Sequence, residues 1–247
     1  MSTREAHAWH PDAELLVRTR AALDAWDAQC PEEWPTSQVL GGGAIAAVER
    51  LVSDAHDGRP CLLLPSATYA LRLALATAGV EIGDTVLVVD DPWPAGLQAV
   101  RSLGASPLPV SADVDGWPSP GPAVVSAAIV TDRDDATAAL TALHRALPDR
   151  PVIEDASRLH PTAPGSPVRD RSGDYVVYSL GPGKPTDSGE GGLLILPDRS
   201  ARTRALTLSA HPTRLAYSHR LIGEPRAFPM RVHPIAAIMC WHQLTRM

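Results

Sequence analysis

The sequence is poor in cysteine and contains no long apolar run. Its three cysteines, Cys30, Cys61 and Cys240, are widely spaced and odd in number. This pattern predicts neither a disulfide framework nor a zinc site, and it fits a reducing cytoplasm. A membrane-spanning helix needs about 18 or more consecutive apolar residues, and the chain has no such run. The polar N-terminal stretch, MSTREAHAWHPDAE, is also unlike a signal peptide.

Basic patches and paired metal ligands are missing as well. The net charge of −6 and the absence of a basic stripe argue against nucleic acid as a main partner. Nine histidines are scattered without an HExxH or paired CxxC pattern, so no metal is expected. The remaining composition is that of a globular protein, with 45% hydrophobic and 20% charged residues. A chain of 247 residues can bury a sizeable core.

Apolar runs and turn signals predict strands that alternate with helices. The predicted strands are Cys61–Leu64, Thr85–Val89, Ser106–Val110, Val124–Val130, Val152–Ile153, Tyr175–Leu180 and Leu193–Leu196. The predicted helices are one that opens at Pro11-Asp12, then Ala44–Ala55, Thr68–Ala78, Ala95–Leu103, Asp134–Leu147, Arg199–Leu208 and Val232–Leu244. This alternation is typical of an α/β fold with a mainly parallel sheet and helices on both faces.

The last two predicted strands are joined by a loop that is too short for a crossover helix. One of them is therefore expected to run antiparallel to the rest of the sheet. Residues 1–11 predict a loose arm, and residues 112–122 predict a turn-rich loop. The chain shows no internal repeat. We expect an N-terminal arm and helix over residues 1–42, followed by one layered α/β domain over residues 43–247.

In open α/β sheets, ligands bind outside the carboxyl ends of the strands. Two loops at this edge contain residues that are suited to binding a ligand. After the first strand, Pro65–Leu71 is a small-residue turn that leads into a helix, whose N-terminus suits a phosphate. An ordinary helix cap is the alternative. After the second strand, Trp93 lies between two prolines and forms a rigid apolar surface for stacking on an aromatic ligand. Simple packing is the alternative for Trp93.

Two further strand ends carry charged side chains. Asp155 follows Val152–Ile153, and Lys184 lies on an irregular loop after Ser179. An anion cradle, a stacking surface, a carboxylate and an amine together suit pyridoxal phosphate (PLP). Its aldehyde forms a Schiff base with lysine, and its ring nitrogen takes an acidic partner. Read singly, Lys184 is a solvated charge and Asp155 is a helix cap, but that interpretation does not account for their joint order.

The order and spacing of these residues resemble the DegT–StrS family of PLP-dependent sugar aminotransferases, which have the fold type I architecture. The resemblance runs from about residue 43 to residue 244. The motifs that carry it are Ser66-Ala67-Thr68-Tyr69-Ala70-Leu71, Trp93, Glu154-Asp155-Ala156, Ser179, Lys184 and Gly189–Gly192. It implies that Lys184 forms the Schiff base and acts as general base, that Asp155 pairs with the ring nitrogen, and that Trp93 stacks on the ring. The implied phosphate ligands are Ser66, Ala67, Thr68 and Ser179.

Several features depart from the family's pattern. Ala67 stands where the family has a glycine, so its side chain crowds the approach of the backbone to the phosphate. Arg158 replaces a glutamine and adds a larger, charged group at the cofactor's edge, and Pro185 replaces an asparagine. We expect the family's C-terminal small domain, which closes over the substrate, to be absent. The pocket should then be more open, or be closed by something else.

The resemblance implies a PLP-dependent aminotransferase that acts on a sugar, cyclitol or related small molecule in specialised, antibiotic-type biosynthesis. It also implies a homodimer, because fold type I enzymes bind PLP at a dimer interface. Two alternatives stay open. An open site with Arg158 could favour elimination, cyclisation or decarboxylation of an amino acid. The chain could also be a catalytically degenerate partner subunit of a full-length aminotransferase, although the retained cofactor positions argue against such decay.

Overall fold

The computed structural model describes residues 13–30, 41–89, 93–110, 125–131, 136–162, 174–209, 228 and 230–246. Seven strands in these residues form one sheet: β1 Cys61–Leu64, β2 Thr85–Val89, β3 Ser106–Val110, β4 Ala127–Thr131, β5 Val152–Asp155, β6 Tyr175–Ser179 and β7 Gly192–Ile195. Their spatial order is β1-β7-β6-β5-β4-β2-β3. Only β7 runs antiparallel to its neighbours, β1 and β6. This confirms the predicted mainly parallel sheet with one reversed strand.

Helices in the described residues cover both faces of the sheet, as the sequence predicts. They are α1 Ala13–Gln29, α2 Gly43–Ala55, α3 Ala67–Thr77, α4 Ala95–Arg101, α5 Ala136–Ala146, α6 Arg199–Ser209 and α7 Pro234–Leu244. Helices α3, α4 and α6 pack on one face. On the other face, α1, α2 and α7 cover β1, β6 and β7, while α5 covers β2, β4 and β5.

Successive residues of the central strands are buried on opposite faces. In β6, Val176 packs into the layer of α1, α2 and α7, whereas Val177 packs into the layer of α3, α4 and α6. Both side chains are fully buried. Because both faces are covered, such strands are continuous apolar runs without alternation. The runs therefore predict strands but do not indicate which side chain faces which layer.

Both edges of the sheet are protected against pairing with another strand. At the β1 edge, a carboxylate oxygen of Glu49 in α2 accepts a hydrogen bond from Leu63 N at 3.2 Å. The β3 edge contains Pro107 and Pro109, which have no N–H to donate. The N–H of Ser106 points inward, because it donates to a carbonyl just before β2 at 2.8 Å. Strand residues alternate in direction, so both proline nitrogens face outward.

Element boundaries agree with the sequence predictions to within about three residues, which is close to the usual uncertainty of element ends. Strand β4 begins at Ala127 rather than at Val124, because its pairing with β2 begins there. Asp155 belongs to β5 because it pairs with Thr131 of β4. The predicted arm, the loop over 112–122 and most of the connector between α1 and α2 lie outside the described residues. Among the helices that are described, none is long and apolar enough to cross a membrane.

The cysteines give a test of this packing. Cys61 and Cys240 are buried, and Cys30 is half-buried. Burial raises the pKa of Cys240 to about 12 and that of Cys61 well above its ordinary value. Because alkylation requires the thiolate, we expect iodoacetamide at about pH 8 to label Cys30 alone in the native protein and all three thiols in denaturant. Mass spectrometry counts the adducts. Native labelling of Cys61 or Cys240 as fast as that of Cys30 would contradict the packing of α1, α2 and α7.

Candidate active site

A cavity of about 550 Å³ lies at the carboxyl-terminal edge of the parallel strands. It is lined by all the residues that the sequence predicts as site residues: Ser66, Ala67, Thr68, Trp93, Asp155, Arg158, Ser179 and Lys184. Its other lining residues are Ala95, Thr131, Ser157, Gly181, Pro182, Glu190 and Gly191. The carboxyl ends of parallel strands meet at one edge of a sheet. The topology therefore brings together residues that are far apart in the sequence.

The first turn of α3 lines this cavity and is the candidate anion cradle. Ser66 is the N-cap of α3, and its side-chain oxygen accepts a hydrogen bond from Tyr69 N at 3.2 Å. The N–H groups of Ala67 and Thr68 precede the first carbonyl acceptor of the helix, so they have no partner within it. These groups and the positive end of the helix dipole favour a bound anion. The Ser66 side chain thus supplies the ordinary helix cap. The backbone N–H groups of Ala67 and Thr68 supply the candidate cradle.

The end of the Lys184 loop lies directly against this cradle. A Cβ atom on Gly192 would be 2.5 Å from the carbonyl carbon of Ser66 and 2.6 Å from Ala67 N. Both neighbours are backbone atoms, so neither can rotate away. The approach follows from the pairing of β7 with β1, in which Gly192 is opposite Leu64. Only glycine lets the two segments lie this close.

Asp155 supplies a buried carboxylate at the end of β5. The residue is 5% exposed. Its Oδ1 accepts a hydrogen bond from Ser157 N at 3.1 Å and another from the Ser157 hydroxyl. This local turn is one that aspartate commonly forms with the backbone two residues on. The two bonds orient the carboxylate, and a carboxylate has lone pairs to accept further donors.

Lys184 lies on the loop between β6 and β7 and is half-buried. It is the single lysine among the 22 Lys and Arg residues of the chain. Main-chain hydrogen bonds of 2.9 Å close the loop, from Ser188 N to Leu180 O and from Leu180 N to Gly191 O. At its tip, Lys184 N donates to Gly181 O at 3.2 Å. A hydrogen-bonded loop therefore carries the amine.

Asp187 ties this loop together and is not among the residues predicted from the sequence. Its carboxylate accepts hydrogen bonds from Gly183 N at 3.2 Å and Gly189 N at 2.9 Å. Arg18 of α1 donates to the same carboxylate at 3.4 Å. Gln243 of α7 accepts from Asp187 N at 3.0 Å and donates to Asp187 O. Two helices from opposite ends of the chain thus hold the loop that carries Lys184.

The rim of the cavity carries a flat apolar side chain and a cation. Trp93 is 73% exposed, and Arg158 is also exposed. Ser179 is half-buried, and its hydroxyl accepts a hydrogen bond from Gly181 N at 3.5 Å. An indole at a cavity mouth is a surface that a planar ligand can cover, and a guanidinium can pair with an oxyanion or a carboxylate.

Three polar lining residues are missed by the sequence analysis. Ser157 follows Asp155 by two residues, and the turn chemistry of aspartate could have indicated its hydrogen bond. Glu190 belongs to the GEGG turn, a motif whose match to the family does not by itself give its carboxylate a role. Thr131 ends β4, and its position beside Asp155 depends on the strand order. No local signal in the sequence indicates that order.

The contact at Gly192 can be tested by adding a methyl group. We expect Gly192→Ala to lower the free energy of unfolding by about 1–3 kcal/mol, as overpacking does, because the Ser66–Ala67 peptide must move. Urea denaturation measures the change. Gly181→Ala is the matched control, since its Cβ would meet Ser179 Oγ at an ordinary 3.7 Å. Equal stability of the two variants would contradict the close approach.

The chain is similar in sequence to known aminotransferases. The model of the DegT/DnrJ/EryC1/StrS aminotransferase family matches residues 27–247. The chain is 30% identical over 190 residues to an L-glutamine:2-deoxy-scyllo-inosose aminotransferase of Micromonospora echinospora, covering 70% of this chain and 43% of that protein. It is 35% identical over 221 residues to an L-glutamine:scyllo-inosose aminotransferase of Streptomyces griseus, covering 72% and 50%.

A solved structure extends the comparison to the fold. A 3-amino-5-hydroxybenzoic acid (AHBA) synthase matches with a TM-score of 0.70 and 25% identity, over 98% of this chain and 64% of that one. The chain spans about half the length of the curated relatives it matches. The resemblance seen in the motifs is confirmed, and the chain belongs to the DegT/DnrJ/EryC1/StrS aminotransferase family.

Proposed function

We propose that this chain is the PLP-binding part of an aminotransferase that acts on a sugar, cyclitol or related small molecule in specialised, antibiotic-type biosynthesis. One observation carries the proposal: the single lysine, Lys184, shares a cavity with the buried carboxylate of Asp155 and the N-terminus of α3. Membership of a family of PLP-dependent aminotransferases supports the cofactor. The substrate class is supported by relatives that are scyllo-inosose and 2-deoxy-scyllo-inosose aminotransferases.

The residues of the cavity fit PLP. The cofactor presents a phosphate, an aldehyde and a ring nitrogen, and the cavity offers a helix N-terminus, the amine of Lys184 and the carboxylate of Asp155. The volume of about 550 Å³ is in the range of small-molecule sites. In addition, the Oγ1 atom of Thr131 in the cavity wall has no hydrogen-bond partner among the described residues. A buried polar atom of this kind is expected where a polar ligand completes the site.

Lys184 and Asp155 carry the proposed chemistry. Bound PLP supplies an electron sink for the carbon that bears the substrate's amino group. The Lys184 amine would hold the cofactor and, once a substrate amine has freed it, would take and return the proton at that carbon. The Asp155 carboxylate keeps a proton on the ring nitrogen, since a nearby negative charge favours the cationic form. Ser157 holds that carboxylate in orientation.

The other predicted site residues would bind and orient PLP or the amino donor. The N–H groups of Ala67 and Thr68, together with the Ser179 hydroxyl, take the phosphate. Trp93 covers one face of the ring. Arg158, at the rim of the cavity, is suited to pairing with the carboxylate of an amino donor.

The proposal includes a homodimer in the cytoplasm. A second subunit over the cavity mouth would cover Trp93, which is 73% exposed. Free cysteines are consistent with a reducing compartment.

The division between residues 1–42 and 43–247 stays a prediction. Its N-terminal helix α1 packs on α7 through Trp26 and Trp241, whose ring centroids are 4.9 Å apart.

Cofactor attachment can be tested directly. The purified chain with PLP should show the visible absorption of lysine-bound cofactor, and borohydride should fix PLP to the peptide that contains Lys184. The chain has a single lysine, so the α-amino group is the other primary amine to be distinguished in the peptide map. Lys184→Arg keeps the positive charge, but its guanidinium stays protonated and should give no band. Absorption by this variant, or label only on the α-amino group, would contradict the role of Lys184. If the wild-type chain shows no such band with PLP, the proposed cofactor is wrong.

The reaction itself needs a second measurement. Adding L-glutamine or L-glutamate should abolish the visible band as the amino group passes to the cofactor, and a keto-cyclitol such as scyllo-inosose should restore it. Asp155→Asn should bind PLP but slow this conversion at least about 100-fold, since it loses the partner of the ring nitrogen. Stopped-flow absorbance measures the rates. A band that persists with every amino donor would instead favour elimination, cyclisation or decarboxylation, or a degenerate partner subunit.

A further inference from the structure

Thr131 contributes a hydroxyl to the cavity that no group in the described part of the chain satisfies. The residue is the last of β4 and is 8% exposed. Its Oγ1 is buried and has no hydrogen-bond partner in the part of the chain that the structure describes. Water satisfies this hydroxyl in the unfolded chain, so burying it alone costs free energy. Because Thr131 lines the candidate active site, a ligand there is the natural partner.

The sheet register sets Thr131 beside Asp155. The strands β4 and β5 are parallel, and Thr131 is directly paired with Asp155. Paired residues of neighbouring strands lie about 5 Å apart and point to the same face. That face carries Ile129, Ile153 and Val177, which pack in the layer of α3. The threonine hydroxyl and the aspartate carboxylate are therefore presented side by side to the cavity.

The phosphate cradle lies on the opposite side of Asp155. Ser179 ends β6, and the first turn of α3 follows β1. The strand order β1-β7-β6-β5-β4 sets β5 between these two elements and β4. Across the sheet, the cavity thus offers an anion cradle, then a carboxylate, then a hydroxyl.

The substitution pattern of PLP matches this row. In the pyridoxal ring, the carbon that bears the aldehyde is opposite the ring nitrogen. The two carbons beside it carry the phosphate arm and a phenolic oxygen. With the nitrogen at Asp155 and the phosphate toward β6 and α3, the phenolic oxygen is directed toward β4. We propose that the Thr131 hydroxyl donates a hydrogen bond to the phenolic oxygen of PLP, an inference that rests on the proposed function.

Arg158 is the competing donor for this oxygen. It lines the same cavity but is exposed, so water can satisfy its guanidinium, whereas the buried Thr131 hydroxyl has no such alternative. The charged residues that line the cavity, among those described, are Asp155, Arg158, Lys184 and Glu190. None of them is altered in a Thr131 variant. A changed titration in that variant therefore reports on the hydroxyl.

The hydrogen bond has a spectroscopic consequence. The phenolic oxygen and the imine nitrogen of lysine-bound PLP share a proton. A donor at Thr131 stabilises the negative charge on the oxygen, favours loss of that proton and lowers the pKa of the imine. Removing the donor should raise this pKa and weaken PLP binding. It should not destabilise the cofactor-free protein, because the hydroxyl has no hydrogen-bond partner to lose among the described residues.

The experiment compares Thr131→Val with Thr131→Ser and Thr77→Val. Valine has a shape similar to that of threonine but no hydroxyl, and serine keeps the hydroxyl. Thr77 is the matched control because it is 1% exposed and its Oγ1 also lacks a partner among the described residues. It ends α3 and does not line the cavity. The measurements are the Kd for PLP, the imine pKa from the visible band, and the Tm of the cofactor-free protein.

Thr131→Val should raise the Kd for PLP roughly two- to tenfold, the loss of one ordinary hydrogen bond. It should also raise the imine pKa and leave the cofactor-free Tm equal or higher. Thr131→Ser and Thr77→Val should keep the wild-type Kd and imine pKa.

Several outcomes would overturn the inference. A wild-type Kd and imine pKa in Thr131→Val would do so and leave the proposed function intact. A shift in Arg158→Gln without one in Thr131→Val would assign the oxygen to Arg158. If Thr131→Val lowers both the Tm of the cofactor-free protein and the affinity for PLP, Thr131 acts through packing and not through a hydrogen bond to PLP. If the wild-type chain binds no PLP at all, the proposed function fails and the inference fails with it.

Discussion

The contact between Gly192 and the Ser66–Ala67 peptide is the constraint on which the site depends. Strand β7 enters the sheet antiparallel, between β1 and β6. A side chain at its first residue would collide with the backbone at the start of α3. The contact joins the loop that carries Lys184 to the anion cradle, so the amine and the cradle line one cavity. The pairing of β7 with β1 holds these two parts of the chain in a common geometry, and the missing side chain at Gly192 permits that pairing.

Hydrogen bonds around this contact hold the candidate chemical groups before any ligand arrives. Asp187 is bonded to both sides of the tip of the Lys184 loop and to Arg18 and Gln243 of the outer helices. Ser157 orients Asp155. Groups held in advance do not lose conformational freedom when a ligand binds, which favours both affinity and catalysis. The outer layer of α1 and α7 therefore contributes to the site without lining it.

Much of the fold could be predicted from local patterns. The runs TVLVV, AAIVT and YVVYS are apolar enough to be strands buried on both faces. Glycines and prolines mark most helix ends. Local patterns were less reliable where pairing decides the outcome. Strand β4 begins later than its apolar run, and Asp155 belongs to β5, because hydrogen bonds to neighbouring strands define both boundaries.

By itself, the sequence determined which chemical groups stand at the strand ends: one lysine on a turn-rich loop, a carboxylate after a strand, and a small-residue helix start. Those features are local, because turn composition and apolar runs depend on residues close in the chain. Only the tertiary structure decided which of these groups are neighbours. The pairing of Thr131 with Asp155, the clamp on Asp187 and the approach of Gly192 to Ser66 join segments far apart in the chain. Strand order and register set them, and these follow from burial of the whole core rather than from any local pattern.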